Sequence, residues 1–212
     1  MKRSHSSRQW LDRQHKDIYT QQAKKAGFRS RAVYKLIEIQ ERDRLCKSGM
    51  TVVDLGAAPG GWSQVLLQWV GSSGKVIALD ILPIEPLEGV DIIEGDFREP
   101  SVLEALQDRV GRGGVDVVLS DIAPNFSGIE AVDQARTVYL GELALDFAQH
   151  VLKPGGSLLV KCFQGEGFES YLGRLRVLFR SVVVRKPKAS RTESREVYLL
   201  AKQYGYSTQM RG

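Results

Sequence analysis

The sequence predicts an α/β fold: an open, mostly parallel sheet of seven strands with its last strand antiparallel, covered by helices on both faces. Three observations lead there. Short apolar runs alternate with helical patterns along most of the 212 residues, the order that produces parallel strands joined by helical crossovers. The first apolar run breaks at Asp54 into Leu-Gly-Ala-Ala-Pro-Gly-Gly before a helical pattern resumes at Val65, the way a buried strand turns into a helix. Finally, Asp54, Asp80, Asp96 and Asp121 each close or follow an apolar run, so four carboxylates stand at one rim of the sheet.

Taken in order, the basic, polar stretch from Met1 to Lys25 reads as an arm or a short helix laid on the domain. Residues 1–29 are assigned to this arm, 30–203 to one domain and 204–212 to a frayed tail. Ser30 is a candidate cap for a helix whose apolar face is Val33, Leu36, Ile37 and Gln40, with Lys35 off that stripe. Strands are expected at Thr51 to Leu55, Lys75 to Leu79, Val90 to Ile93, Val115 to Leu119, Ser157 to Cys162, Ser181 to Val184 and Val197 to Ala201. Helices are expected at Trp62 to Val70, Ser101 to Val110, Ala131 to Leu152 and Phe168 to Phe179, the third stopped by Lys153-Pro-Gly-Gly. No helix separates the last two strands, so that pair is antiparallel, because a parallel connection needs a crossover.

Composition sets the outer limits. A hydrophobic fraction of 42% supplies an ordinary core. No apolar run approaches the roughly 20 residues that span a bilayer, and no signal-like segment opens the chain, so a cytoplasmic protein without membrane contact is expected. Cys46 and Cys162 are the only cysteines; their separation suggests free thiols rather than a disulfide or a metal site. Residues 1–48 hold 13 Lys and Arg against 5 Asp and Glu within a chain whose net charge is only +5. A second basic cluster runs from Arg174 through Arg185, Lys186, Lys188 and Arg191 to Arg195. Two basic segments beside a near-neutral domain suit a polyanion, nucleic acid before membrane, although charge runs also serve as plain solvated faces.

The rim acids suggest a cofactor. An acid at the end of the second strand is how doubly wound folds grip a ribose diol, which points Asp80 at an adenosine-containing ligand, with Asp96 near the base and the glycine turn near the remainder. Gly56-Ala-Ala-Pro-Gly60-Gly61 lacks the Gly-x-Gly-x-x-Gly spacing of dinucleotide sites, which weakens an oxidoreductase. The one Gly-Lys, Gly74-Lys75, leads into a strand and is followed by Val76, which disfavours a phosphate-binding NTPase loop. Trp62 has two readings, packing on the cofactor or starting the buried face of its helix.

Four segments, Asp54 to Gln64, Ser120 to Gly128, Val160 to Phe168 and Arg185 to Tyr198, together with Arg29 to Leu36, resemble the FtsJ/RrmJ family. The resemblance covers nearly the whole chain. It implies a Rossmann-like class I methyltransferase fold, S-adenosyl-L-methionine as cofactor, and ribose 2′-O-methylation of RNA. It is greatest toward bacterial enzymes that methylate a uridine in the A loop of 23S ribosomal RNA, which implies rRNA within the 50S subunit as partner and a monomer with no obligate protein partner.

The resemblance also implies a Lys-Asp-Lys-Glu catalytic tetrad on Lys35, Asp121, Lys161 and Glu196. The strand reading independently brings Asp121, Lys161 and Glu196 to one rim. Gly56, Gly60, Trp62, Asp80, Asp96 and Asp121 form the expected cofactor set, without a metal. A ribose hydroxyl is a weak nucleophile, so the site must align oxygen, methyl and sulfur and remove a proton. Lys161 is the expected general base, favoured in its neutral form by burial and by the Lys35 ammonium and opposed by the carboxylates. Asp121 would orient it, and Glu196 would hold Lys35 or the ribose. Transfer RNA or messenger-cap methylation is the alternative within the class. A ribosome-assembly factor of the same fold without turnover is the alternative outside it.

Overall fold

The computed structural model describes residues 18–191 and 194–206. Among these residues six helices and seven strands follow in order: α1 (Ile18–Lys25), α2 (Val33–Asp43), β1 (Thr51–Leu55), α3 (Gly61–Val70), β2 (Lys75–Asp80), β3 (Val90–Glu94), α4 (Pro100–Val110), β4 (Val115–Ser120), α5 (Glu130–Val151), β5 (Leu152–Phe163), α6 (Phe168–Leu178), β6 (Phe179–Arg185) and β7 (Glu196–Tyr204). They build one seven-stranded sheet in the order β3-β2-β1-β4-β5-β7-β6. The first five strands pair in parallel, and β7 runs antiparallel between β5 and β6, as the missing crossover requires.

The two-residue period of the strands sorts their side chains into two cores. Val53, Leu55, Ile77, Leu79, Val118, Leu158 and Val160 face one side, where α4, α5 and α6 contribute Leu106, Leu145, Phe147 and Leu175. Val52, Val76, Val117, Leu119, Leu159, Tyr198 and Leu200 face the other, against Val33, Leu36 and Ile39 of α2 and Trp62, Val65 and Leu66 of α3. Burying each such aliphatic side chain contributes about 1.5–3 kcal/mol, so α2, although it precedes the first strand, belongs fully to the domain.

Several local expectations are corrected. The buried stripe of α2 is Val33, Leu36 and Ile39; Ile37 and Gln40 are only half-buried. Ser30 is not its N-cap, since Ala32 holds that position and Ser30 Oγ accepts from the Ala32 amide in the preceding turn. Gln40 instead closes the far end, bonding both the amide and the carbonyl of Cys46. Lys153-Pro-Gly-Gly lies inside β5, which starts directly after α5 and shifts register against β4 between Val115 and Val117. Tyr204 belongs to β7 rather than to a frayed tail: its ring packs 5.3 Å from that of Phe179. Residues 207–212 lie outside the described residues, as do 1–17 of the expected arm. Of the rest of that arm, 18–25 form α1, with Ala23 buried. Among the described residues no helix is long and apolar enough to cross a membrane.

Candidate active site

The site lies over the α2/α3 face of the sheet, at the rim where β1, β2, β4 and β5 end and β7 begins. Its floor is the turn after β1. The amides of Gly56 and Ala57 both donate to Leu79 O (2.8 and 3.1 Å), and Asp121 N donates to Leu55 O (3.1 Å), tying the three strand ends together. Gly56 has φ 76°, and a Cβ there would lie 2.6 Å from Ile122 Cγ1; only glycine permits this approach of the turn to the β4 rim. Gly60 starts α3 at φ 103°. The turn is fastened from outside by Arg29, whose guanidinium donates to Glu85 O (2.7 Å), Pro86 O (2.9 Å) and Pro59 O (3.3 Å).

Asp54, Asp80 and Asp121 crowd this floor. Asp54 is fully buried and accepts from Ser63 Oγ (2.8 Å) on Oδ2, while its Oδ1 has no hydrogen-bond partner. Burial raises its pKa to about 7, opposed by the Ser63 bond and reinforced by the charges of Asp121 and Asp80. Asp80 accepts from Ala58 N (2.8 Å) and Leu82 N (2.9 Å), so one carboxylate orders the loops on either side of it. Asp96 turns to Arg98, which holds its carboxyl below the ordinary range by hydrogen bonding and charge.

The tetrad residues come together as two ion pairs. Lys161 Nζ lies 3.0 Å from Asp121 Oδ1 and donates to Asp121 O at 2.5 Å. Lys35 Nζ lies 2.6 Å from Glu196 Oε1, which also accepts from Ser190 Oγ (3.0 Å). Lys35 lies off the apolar stripe of α2, yet its side chain is only 13% exposed. A residue with no assigned role joins the pairs. Tyr198 hydroxyl donates to Asp121 Oδ1 (2.7 Å), and Lys35 Nζ sits 5.8 Å from the centre of its ring. The signal was spacing: Tyr198 follows Glu196 by two on one strand, hence shares its face, and stands in register with Lys161.

Residues 28–204 match the family model described as FtsJ-like methyltransferase. The chain belongs to this family. The FtsJ-like protein is 58% identical over 204 residues to a relative named ribosomal RNA large subunit methyltransferase E from Alkalilimnicola ehrlichii, covering 96% of this chain and 98% of that one. Its structure is similar to that of a ribosomal RNA methyltransferase from Plasmodium falciparum, with TM-score 0.74 and 28% identity over 84% of this chain and 98% of that chain.

A methyltransferase needs a methyl donor, and the residues present fit a cationic one. Asp54, Asp80 and Asp121 act on one another as like charges at the glycine turn, with a lysine beside Asp121, and a positive ligand would relieve the remaining repulsion. Trp62 is buried, its Nε1 donates to Ala32 O (2.8 Å), and its ring packs 5.8 Å from Tyr198. Its side chain therefore fastens α2 and β7 together in this FtsJ-like methyltransferase, which places Lys35.

The late basic cluster is also partly spent within the fold. Arg185 binds Asp43 through both Nε (2.8 Å) and Nη2 (2.7 Å), Lys186 Nζ donates to the carbonyls of Ser194 and Glu196, and Arg195 pairs with Glu130. Lys188 is exposed, and its backbone amide donates to Glu38. The two thiols are free and buried, their pKa pushed up to about 12 by burial, which makes them poor nucleophiles.

Proposed function

We propose that this protein transfers the methyl group of S-adenosyl-L-methionine to a ribose 2′-hydroxyl of large-subunit ribosomal RNA, a uridine in the A loop of 23S rRNA, with Lys161 as general base. The observation that carries this reading is the hydrogen-bond geometry at Lys161 Nζ. Two of its N–H directions are taken by the carbonyl and the carboxylate of Asp121. In the neutral amine the remaining direction is the lone pair, which accepts the hydroxyl proton.

When bound, the cofactor supplies a methyl group on a positively charged sulfur. The protein's residues do the rest. Gly56, Gly60, Asp80, Asp96 and Asp121 would hold the cofactor, and Lys161 Nζ would take the 2′-hydroxyl proton as the ribose oxygen gains the methyl group and the methyl C–S bond breaks to leave a neutral thioether. Asp121 orients Lys161. Glu196 holds Lys35 over the Tyr198 ring, where its ammonium stabilises negative charge growing on the ribose oxygen. Exposed basic residues such as Lys188 contact phosphates, which supply affinity and register rather than sequence choice.

Radiolabelled methyl transfer to large subunits from a strain lacking the enzyme, followed by mapping of the modified ribose, tests the reading. Label on one 2′-oxygen of large-subunit rRNA is the expected result. Label on transfer RNA or capped messenger instead moves the substrate assignment, and no transfer to any RNA overturns the reading.

A further inference from the structure

The segment after β4 ends in a ring that the core does not use. Phe126 is 57% exposed, yet the residues that follow it and the ring beside it are anchored to the fold. Ser127 N (2.7 Å), Ser127 Oγ (2.8 Å) and Gly128 N (3.0 Å) all donate to the carboxylate of Asp133 in the first turn of α5. Next to Asp133, Gln134 donates from Nε2 to Phe163 O (3.0 Å) and Glu166 O (2.9 Å), pinning the loop after β5. Asp133 and Gln134 are both buried polar residues, and these loop bonds are the partners that satisfy them. The Phe126 ring stands edge-on to Phe163, with centroids 5.5 Å apart and planes at 78°. An exposed apolar ring held this firmly has lost the freedom that would otherwise oppose ligand binding.

Its location defines the ligand. Phe163 follows Lys161 by two residues on β5, so the side chains share a sheet face, and it stands in register with Glu196. Successive same-face residues on a strand lie about 7 Å apart, the scale of one nucleotide. A nucleotide with its 2′-hydroxyl at Lys161 and its base along β5 would reach the Phe126–Phe163 pair. Single-stranded RNA bases are taken up on such rings by stacking.

We infer that Phe126 is the stacking platform for the base of the methylated nucleotide, a positioning residue that turns the ribose toward Lys161. The inference rests on the RNA methylation reading above. Because every base has a π-face, the platform orients the nucleotide without choosing its identity.

The test compares full-length Phe126→Trp, Phe126→Leu and Phe126→Ala with wild type in methyl transfer to undermethylated large subunits, alongside melting temperature and cofactor titration. Leu and Ala are expected to lower kcat/KM by about ten- to a hundredfold, the range that stacking on one base supplies, chiefly through KM. Trp should stay near wild type, with melting and cofactor affinity unchanged throughout. Equal activity of Leu and wild type overturns the inference in favour of an ordinary apolar contact, such as one with a ribosomal protein, and leaves the methylation reading standing. A wild-type protein that methylates no RNA removes both.

Discussion

The Tyr198 hydroxyl donates to Asp121 Oδ1 over 2.7 Å from a side chain with no exposed surface. The same ring lies beneath Lys35, so one buried tyrosine sets the relative position of both lysine–carboxylate pairs. Burial and the neighbouring carboxylates Asp121 and Glu196 raise its pKa well above the ordinary value, which keeps it a neutral donor.

Tyr198→Phe is expected to keep the fold and lower kcat by about tenfold or more, since a hydrogen bond to a charged group contributes about 1.5–3 kcal/mol. KM for the methyl donor should change little. Steady-state kinetics beside thermal melting separate the two effects, and unchanged kcat would remove Tyr198 from the machinery.

Lys161→Ala and Lys161→Arg should both abolish measurable turnover. Alanine removes the proton acceptor, and a guanidinium stays protonated at working pH and offers no lone pair. Cofactor affinity, followed by calorimetry, should persist in at least the arginine variant. Near-full activity in either protein would sink the assignment of Lys161 as base.

Asp54 makes stability depend on pH in an unusual direction. Its carboxyl titrates at about 7 in the folded protein and near 3.9 in an unfolded chain. Between those values the folded state holds a proton that the unfolded state has lost, so stability falls as pH rises, by up to about 1.4 kcal/mol per pH unit, and levels off above the folded value. Urea midpoints compared at about pH 5 and about pH 8 should differ more for wild type than for Asp54→Asn; parallel changes in the two proteins would contradict this.

Arg185→Ala is expected to destabilise the protein by about 2 kcal/mol, the cost of removing a part-buried, doubly hydrogen-bonded charged partner from Asp43. The side chains of Arg185 and Asp43 are 16% and 8% exposed, and the pair clamps the end of α2, the helix that carries Lys35. Hydrogen bonding from Arg185 also holds the Asp43 carboxyl below its ordinary range. That part of the stabilisation is present above the unfolded carboxyl value and lost as pH falls through the folded one. Denaturant midpoints at neutral and acid pH measure both effects, and the gap between variant and wild type should narrow in acid.

Much of the fold was legible in order and periodicity. Alternating runs defined the parallel strands, the absent crossover before Val197 defined the antiparallel one, and the acids at strand ends marked the rim where the lysine–carboxylate pairs stand. These features depend on neighbours along the chain, where a two-residue or helical period acts directly. The family resemblance assigned the four tetrad positions, and strand direction brought three of them to one edge.

Partnerships across the chain were decided only by the tertiary structure. Nothing local to Arg29 or Arg185 distinguishes a phosphate-binding cation from one spent on carbonyls or a carboxylate of the fold, because that depends on which segments meet at distances of tens to more than a hundred residues. The same holds for Trp62, whose indole found Ala32 O, and for Tyr198, whose role exists only because β7 inserts between β5 and β6. Periodicity determines which face a side chain takes; packing determines what waits there.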